Sequence, residues 1–170
     1  MLKMFRQTGL RWSWLALIAL VLDQITKIWV INSFRLYESI EVLPFFNLTY
    51  VRNYGAAFSF LSDAGGWQRW FFTGIAIVVS VLVIFWLKKA KSSQVLFPVA
   101  LSLILGGALG NLYDRLAYGY VVDFLDFYYQ NWHWPAFNIA DSAIFLGAVF
   151  LILDAFKNPE SEVQAKEEQS

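Results

Sequence analysis

Four long apolar segments alternate with shorter polar ones along this chain of 170 residues. They run from about Trp12 to Ile31, Trp70 to Leu87, Val95 to Tyr113 and Phe137 to Leu153. Each is close to the roughly 20 apolar residues that cross a hydrocarbon core of about 30 Å as a helix. The pattern therefore predicts a membrane protein of the all-α class, a four-helix transmembrane bundle that forms one domain over residues 1–170.

The first apolar segment begins like a secretory signal peptide, because Lys3, Arg6 and Arg11 precede it. No small-residue cleavage site follows, and Asp23 and Lys27 interrupt the apolar run. We therefore expect this segment to be retained as the first span.

Two of the connecting segments have strand patterns of their own. In the segment before the second span, Phe46, Leu48 and Tyr50 alternate with polar or smaller residues, and this period of two predicts a strand. Residues 53–55 then read as a turn, and residues 56–61 as a short helix on the membrane surface. Residues 120–124 form another strand-like run, which contains Asp123. We expect these segments to form a small β platform over the helix ends.

Orientation follows from the basic residues, because cytoplasmic loops carry the excess of lysine and arginine. Lys88, Lys89 and Lys91 crowd the turn between the second and third spans, and basic residues precede the first. Both termini are therefore predicted to be cytoplasmic, and the platform is predicted to lie on the opposite, outer face of the membrane. The arginines of the platform segment are more widely spread and do not reverse this prediction. Residues 157–170 read as a disordered acidic tail.

Composition supports the membrane class and excludes several functions. Hydrophobic residues make up 58% of the chain and charged ones 15%, against roughly 25% charged in a soluble domain. Thirteen basic residues balance thirteen acidic ones, so no overall field attracts nucleic acid. With no cysteine and one histidine, the chain lacks a thiolate nucleophile and the usual zinc ligands. We therefore expect no metal and no cofactor.

Polar side chains within the apolar segments mark the candidate site. A charge at membrane depth is costly and usually faces a protein interior or a wet cavity. In the predicted topology the polar side chains of these segments lie at one level, near the platform: Asp23 and Lys27 in the first span, Asn111 near the end of the third with Asp114 and Arg115 just beyond it, and Asn138 and Asp141 at the start of the fourth. A site at one depth indicates a pocket that opens to one face, whereas transport favours polar groups at the midplane.

Asp123 and Asp141 are the candidate catalytic pair. Peptide hydrolysis by carboxylates needs one ionised group to take a proton from water and one neutral group to polarise the carbonyl. Two carboxylates close together in a low dielectric adopt these opposite states, because each disfavours ionisation of the other. Donors from asparagine and arginine side chains nearby would orient the substrate and stabilise developing charge.

Structural roles also fit several of these residues. Asp141 suits the first turn of a helix, and Asn138 suits the N-cap before it. Asp23 and Lys27, four residues apart, can form an ion pair on one helix face, which would hold the first helix against the site. Arg115 equally suits a helix C-terminus. Sequence spacing alone leaves these alternatives open.

Other residues are assigned outside the site. Asp126 resembles an ordinary exposed loop acid, as Asp123 does when taken by itself. The single histidine, His133, is expected at the membrane interface. Gly106 and Gly110 form a GxxxG pattern, which predicts close helix packing.

Five motifs then identify a family. They are DQITK at 23–27, NYGAAFS at 53–59, GGALGNLYDR at 106–115, VVDF at 121–124 and FNIADS at 137–142. Together, in this order on a chain with four spans, they resemble the bacterial lipoprotein signal peptidases, or signal peptidase II. The resemblance covers nearly the whole chain, and no departure from the family pattern is visible at these positions.

The resemblance implies an aspartic endopeptidase of the bacterial inner membrane, with the platform and the active site on the periplasmic side. Such enzymes remove the signal peptide from diacylglyceryl-modified prolipoproteins and cut just before the lipid-bearing cysteine. The family's catalytic pair falls on Asp123 and Asp141. Its other polar motif residues fall on Asp23, Lys27, Asn53, Asn111, Arg115 and Asn138, as support or substrate contacts. The expected partners are lipidated prolipoproteins and membrane lipids, and the expected state is a monomer.

Two alternatives come from other classes of function. A small proton-coupled membrane transporter is one, since membrane carboxylates also relay protons. A non-catalytic assembly subunit that uses the same aspartates between helices is the other. A serine enzyme is disfavoured, because His133 has no nucleophile motif near it.

Overall fold

The computed structural model describes residues 7–55, 65–91 and 93–157. Its four long helices are α1 (Ser13–Ser33), α2 (Trp67–Lys89), α3 (Leu96–Ala117) and α4 (Ile139–Lys157), and a short 3-10 helix at Gly9–Trp12 leads into α1. All four helices are long and apolar enough to cross a membrane. The four predicted spans are thus confirmed as helices. Because α3 continues to Ala117, Asp114 and Arg115 lie in its last turn and not beyond it.

Helix α3 lies at the centre of the bundle and packs against the other three helices. Glycines allow this close approach: a Cβ added to Gly106 would lie 2.6 Å from the carbonyl oxygen of Ala16 on α1. A Cβ on Gly107 would overlap the carbonyl oxygen of Ala140 on α4. The close packing predicted from Gly106 and Gly110 is therefore present, and α4 approaches through Gly107.

The outer faces of the bundle expose large apolar side chains. Leu17 on α1, Val81 on α2 and Phe145 on α4 are each more than half exposed, at 61%, 61% and 68%. Contiguous apolar surface of this kind is unfavourable in water and is covered by lipid in a membrane protein.

An antiparallel sheet of four strands lies at one end of the bundle. The strands are β1 (Ser39–Leu43), β2 (Phe46–Asn53), β3 (Val121–Tyr129) and β4 (Trp132–His133), and they lie in this order across the sheet. The strand predicted at residues 46–51 is confirmed as part of β2, and the one predicted at 120–124 is confirmed from Val121, where β3 begins. In the β2–β3 pair Val51 is opposite Asp123, and a bulge lies between Leu48 and Val51.

Apolar residues join the sheet to the helix ends. Val30 and Phe34, at the end of α1, form a buried cluster with Tyr50, Val122 and Phe124 of the sheet. This contact fixes β3 against the bundle.

The lysines at the end of α2 lie at the opposite end of the bundle from the sheet. There the N–H of Gly9, just before α1, donates to the carbonyl oxygen of Ala90 at 3.0 Å. Sheet and lysines are therefore separated by the length of the helices. The surface helix predicted at residues 56–61 and the tail from residue 158 lie outside the described residues.

Candidate active site

Strand β3 and the start of α4 are held side by side at the sheet end of the bundle. The N–H groups of Phe124 and Leu125 donate to the carbonyl oxygen of Phe137 at 2.9 and 2.8 Å. The N–H of Phe137 donates back to Leu125 at 3.1 Å. The chain that enters α4 therefore runs along β3, and the next residue, Asn138, comes to lie beside Asp123.

Asn138 joins the two candidate acids. Its Nδ2 donates to Oδ1 of Asp123 at 2.7 Å, and its backbone N–H donates to Oδ2 of Asp141 at 3.3 Å. Its Oδ1 accepts the N–H of Asp141 at 2.9 Å, which is the N-cap hydrogen bond of α4. The predicted cap is thus present, and the same side chain also holds the strand acid next to the helix acid.

Two further asparagines orient the outer oxygens of the pair. Asn53 on β2 donates from Nδ2 to Oδ2 of Asp123 at 2.9 Å. Asn111 on α3 donates from Nδ2 to Oδ1 of Asp141 at 2.7 Å. Each carboxylate therefore accepts hydrogen bonds at both oxygens, from elements that are far apart in the sequence.

The environment of Asp123 shifts its titration toward neutral pH. Burial raises the pKa of Asp123 to about 7, and the nearby carboxylate of Asp141 adds to this effect. The hydrogen bonds from Asn53 and Asn138 act in the opposite direction, because they favour the ionised form. Near neutral pH, Asp123 thus passes readily between its neutral and ionised forms, which general acid and base catalysis requires.

A cavity of about 750 Å³ adjoins both acids. Its polar lining comes from Asn53, Asn111, Arg115, Asp123, Asp141 and Ser142. The rest is apolar and comes from β3, from the segment before α4 and from α4 itself, namely Val121, Trp134, Pro135, Ala136, Phe137, Ile144, Phe145, Leu146 and Ala148. An apolar cavity with a few converging polar groups is typical of a ligand or substrate site.

Arg115 supplies a positive charge to this cavity. Its Nη2 donates to the carbonyl oxygen of Gly55 at 2.9 Å, and its guanidinium lies 5.4 Å from the centre of the Phe72 ring. Its Nη1 also lies 3.3 Å from the carbonyl oxygen of Asn111. The side chain therefore links α2, α3 and the end of β2, and does more than cap its own helix.

Asp23 and Lys27 lie behind the cavity wall. Lys27 Nζ contacts Oδ2 of Asp23 at 2.8 Å, Oδ2 of Asp114 at 3.0 Å and Oδ1 of Asn111 at 2.9 Å. All three charged side chains are almost fully buried, so each charge needs its partners. The predicted ion pair is present, and it reaches the site through Asn111.

Asp114 is the buried partner that the sequence interpretation left out of the site. Asn111, Asp114 and Arg115 are spaced i, i+3 and i+4, which places them on one face of a helix. That spacing was the signal that could have identified Asp114.

The residues assigned outside the site stay outside it. Asp126 does not line the cavity, yet it is buried and not an exposed loop acid. It accepts a hydrogen bond from Asn47 at 3.1 Å and lies 2.9 Å from Nδ1 of His133. Within the described ranges, no cluster of three or more histidine or acidic side chains could hold a metal ion.

Comparison with known proteins identifies a family, close relatives in sequence and a solved structure with a similar fold. Residues 15–157 match the protein family described as Signal peptidase (SPase) II. The chain is 65% identical to the lipoprotein signal peptidase of Alteromonas mediterranea, over 95% of this chain and 89% of that protein. It is 61% identical to the lipoprotein signal peptidase of Pseudoalteromonas atlantica, over 95% and 98%. A bacterial membrane enzyme solved by the in meso method at 2.3 Å resolution superposes with a TM-score of 0.78, at 35% identity, over 89% of this chain and 90% of that one.

Proposed function

Since the chain belongs to the signal peptidase II family, we propose that it is an aspartic endopeptidase that uses Asp123 and Asp141 as its catalytic pair. Its function is that of a lipoprotein signal peptidase, a membrane protease that processes lipoprotein precursors. The alternative of a proton-coupled transporter is not supported by this assignment.

The observation that carries the proposal is that Asn138 is hydrogen-bonded to both acids. This residue donates to Asp123 from its side chain and to Asp141 from its backbone, so both acids face one cavity. In the mechanism we propose, the ionised member of the pair takes a proton from a water molecule, and that water attacks the scissile carbonyl. The neutral member first donates a hydrogen bond to the carbonyl oxygen. It then supplies a proton to the departing amine as the C–N bond breaks.

The other polar groups of the cavity have supporting roles in this mechanism. Asn53 and Asn111 hold one oxygen of each acid, and both carboxylates line the cavity. Arg115 brings a cation close to the place where negative charge develops on the substrate carbonyl. Lys27 and Asp23 act at a greater distance, through Asn111 and the helix contacts.

The cavity also fits a substrate that carries lipid. Its lining includes Phe145 and Leu146 on α4, which are 68% and 48% exposed on the outer face of the bundle. An apolar path thus leads from the acids to the surface that lipid would cover. We propose that a diacylglyceryl-modified precursor enters along this path, and that its acyl chains hold the bond before the modified cysteine at the acids.

We also propose which side of the membrane the site faces, from the charges on the bundle. Lys88 and Lys89 lie at the end away from the sheet, and a lysine-rich end is cytoplasmic by the positive-inside rule. The sheet and the two acids then face the periplasm. This is the side on which the cleavage of exported precursors takes place.

Cleavage of a synthetic diacylglyceryl-modified precursor by purified protein in detergent tests the catalytic pair. We expect Asp123→Asn and Asp141→Asn each to reduce kcat by at least about 100-fold, because each removes one proton-transfer group. Asp126→Asn is the matched control, since Asp126 lies on the same strand but outside the cavity, and it should keep its activity. A correctly folded Asp123→Asn or Asp141→Asn variant that cleaves at the normal rate would disprove the assignment.

A further inference from the structure

Asp114 holds the strand that carries Asp123. The side chain is fully buried in the last turn of α3, and its Oδ2 accepts the backbone N–H of Val122 at 3.0 Å. Val122 is itself fully buried and directly precedes Asp123. A hydrogen bond at this position fixes the height of β3 above α3, and therefore the place of the next side chain along the strand.

Asp23 makes the corresponding contact with the other acid. Its Oδ1 accepts the backbone N–H of Ala140 at 2.9 Å, and Ala140 directly precedes Asp141. Each of these two buried carboxylates thus binds the amide of the residue before a candidate catalytic acid.

Lys27 connects the two carboxylates. Its ammonium lies 2.8 Å from Asp23 and 3.0 Å from Asp114, and it donates to Oδ1 of Asn111 at 2.9 Å. Since Oδ1 of Asn111 faces this donor, its Nδ2 must point the other way, and there it donates to Asp141 at 2.7 Å. Gln24 adds a further bond, from Nε2 to Oδ1 of Asp114 at 3.0 Å.

We propose that Asp114 is a positioning residue for the hydrolysis, which sets the location of Asp123 through the N–H of Val122. In this arrangement Asp23, Lys27 and Asp114 form one buried ionic cluster. It contacts β3 through Asp114 and α4 through Asp23. The proposal rests on the proposed function, because it concerns the placement of a catalytic acid. It adds a residue that lies outside the cavity and does not touch the substrate.

Two substitutions of Asp114 distinguish the effect of its hydrogen bond to Val122 from the effect of its ion pair with Lys27. Asp114→Ala removes both the ion pair with Lys27 and the acceptor for Val122. Asp114→Asn removes the ion pair but keeps an oxygen that can accept the Val122 N–H. Asp154→Ala, near the far end of α4, is the control for substituting an acid on a membrane helix.

Two measurements on these purified full-length variants test the proposal. In amide hydrogen exchange, we expect Asp114→Ala to lose protection in a peptide that spans residues 119–126 and to keep it in one that spans 138–143. In cleavage assays on the lipidated precursor, we expect Asp114→Ala to lower kcat on the order of 10-fold to 100-fold, with little change in KM. Asp114→Asn should recover a substantial part of the lost kcat, and Asp154→Ala should match the original protein in both assays.

Several results would overturn the proposal. They are unchanged exchange at 119–126 in Asp114→Ala, equal loss of protection in both peptides, or no recovery of kcat in Asp114→Asn. The exchange measurement does not depend on which residues are catalytic. If Asp123→Asn proved active, the proposed function would fail, while the exchange data would still decide whether Asp114 holds β3.

Discussion

Nδ2 of Asn138 lies 2.7 Å from Oδ1 of Asp123, so the residue that caps α4 is directly bonded to a carboxylate of β3. The cap and the bridge use different atoms of the same side chain, since the cap is made by Oδ1 of Asn138. The two roles can therefore be separated by substitution.

Asn138→Ser and Asn138→Ala are expected to differ in stability but not in activity. Serine is also a good N-cap, whereas loss of a cap to alanine costs about 1 kcal/mol. Neither replacement reaches Asp123, so both should lower kcat strongly. Thermal unfolding and cleavage of the lipidated precursor measure the two effects. Normal cleavage by Asn138→Ser would show that Asn138 serves only as the cap.

The stability of the protein should depend on pH through Asp123. Burial, with a smaller effect of Asp141, raises the pKa of Asp123 to about 7 from an ordinary 3.8. A raised carboxyl pKa means that its stabilising contribution is complete below pH 4 and is lost as the pH rises through 7. Asp123→Asn stays neutral, so its Tm should exceed that of the original protein at pH 8, with the difference shrinking toward pH 4. Equal differences at both pH values would contradict the raised pKa.

The pH dependence of the cleavage rate should also reflect the titration of Asp123. The catalytic pair needs one proton, and the raised pKa of Asp123 means that this proton is lost as the pH rises above about 7. We expect kcat/KM for the lipidated precursor to fall along an alkaline limb with its midpoint near pH 7. A profile that stays flat from pH 6 to pH 9, with stable protein throughout, would rule out this assignment.

Substitution by alanine should destabilise the protein more at Gly107 on α3 than at Gly74 on α2. A Cβ at Gly107 would overlap the backbone of α4 at Ala140, so Gly107→Ala should destabilise the protein by about 1 to 3 kcal/mol. At Gly74 no atom lies within 4 Å of the added Cβ, so Gly74→Ala should be neutral or slightly stabilising. Thermal unfolding in detergent compares the two. If Gly107→Ala melted like Gly74→Ala, the close contact of α3 and α4 would be wrong.

Chelators should leave cleavage unchanged. The mechanism proposed for Asp123 and Asp141 uses only carboxylates and water, and it contains no step that needs a metal ion. Activity of the purified protein on the lipidated precursor is measured before and after incubation with EDTA. A loss that added zinc restores would replace this mechanism with a metal-dependent one.

The helices could be predicted from the sequence because their apolar runs match the width of a membrane. The edge strand β1 could not, because all of its side chains are exposed and it therefore has no buried face that would impose a pattern. It forms because β2 offers hydrogen bonds, with Ile40 opposite Leu48. Backbone pairing of this kind leaves little trace in the amino-acid types.

The residues of the candidate site are indicated by the sequence motifs, whereas the contacts that support them are not. The motifs indicated Asp123 and Asp141, and the structure places both on one cavity. The backbone pairing of Leu125 with Phe137, which brings them together, uses only N–H and carbonyl groups and so could not be predicted from side chains. The spacing of Asp114 on α3 indicates the face on which it lies, but not its contacts with Lys27 and the amide of Val122, which are distant in the sequence.

The pairing of Leu125 with Phe137 also closes a hairpin whose tip is exposed at Asn131. Since both ends of the hairpin are fixed to each other, changes at the tip should not reach the acids. The chain contains no cysteine, so Asn131→Cys would provide a single thiol for attaching a fluorescent dye. The tip of this hairpin is thus a suitable place for a reporter that follows the enzyme in membranes while it works.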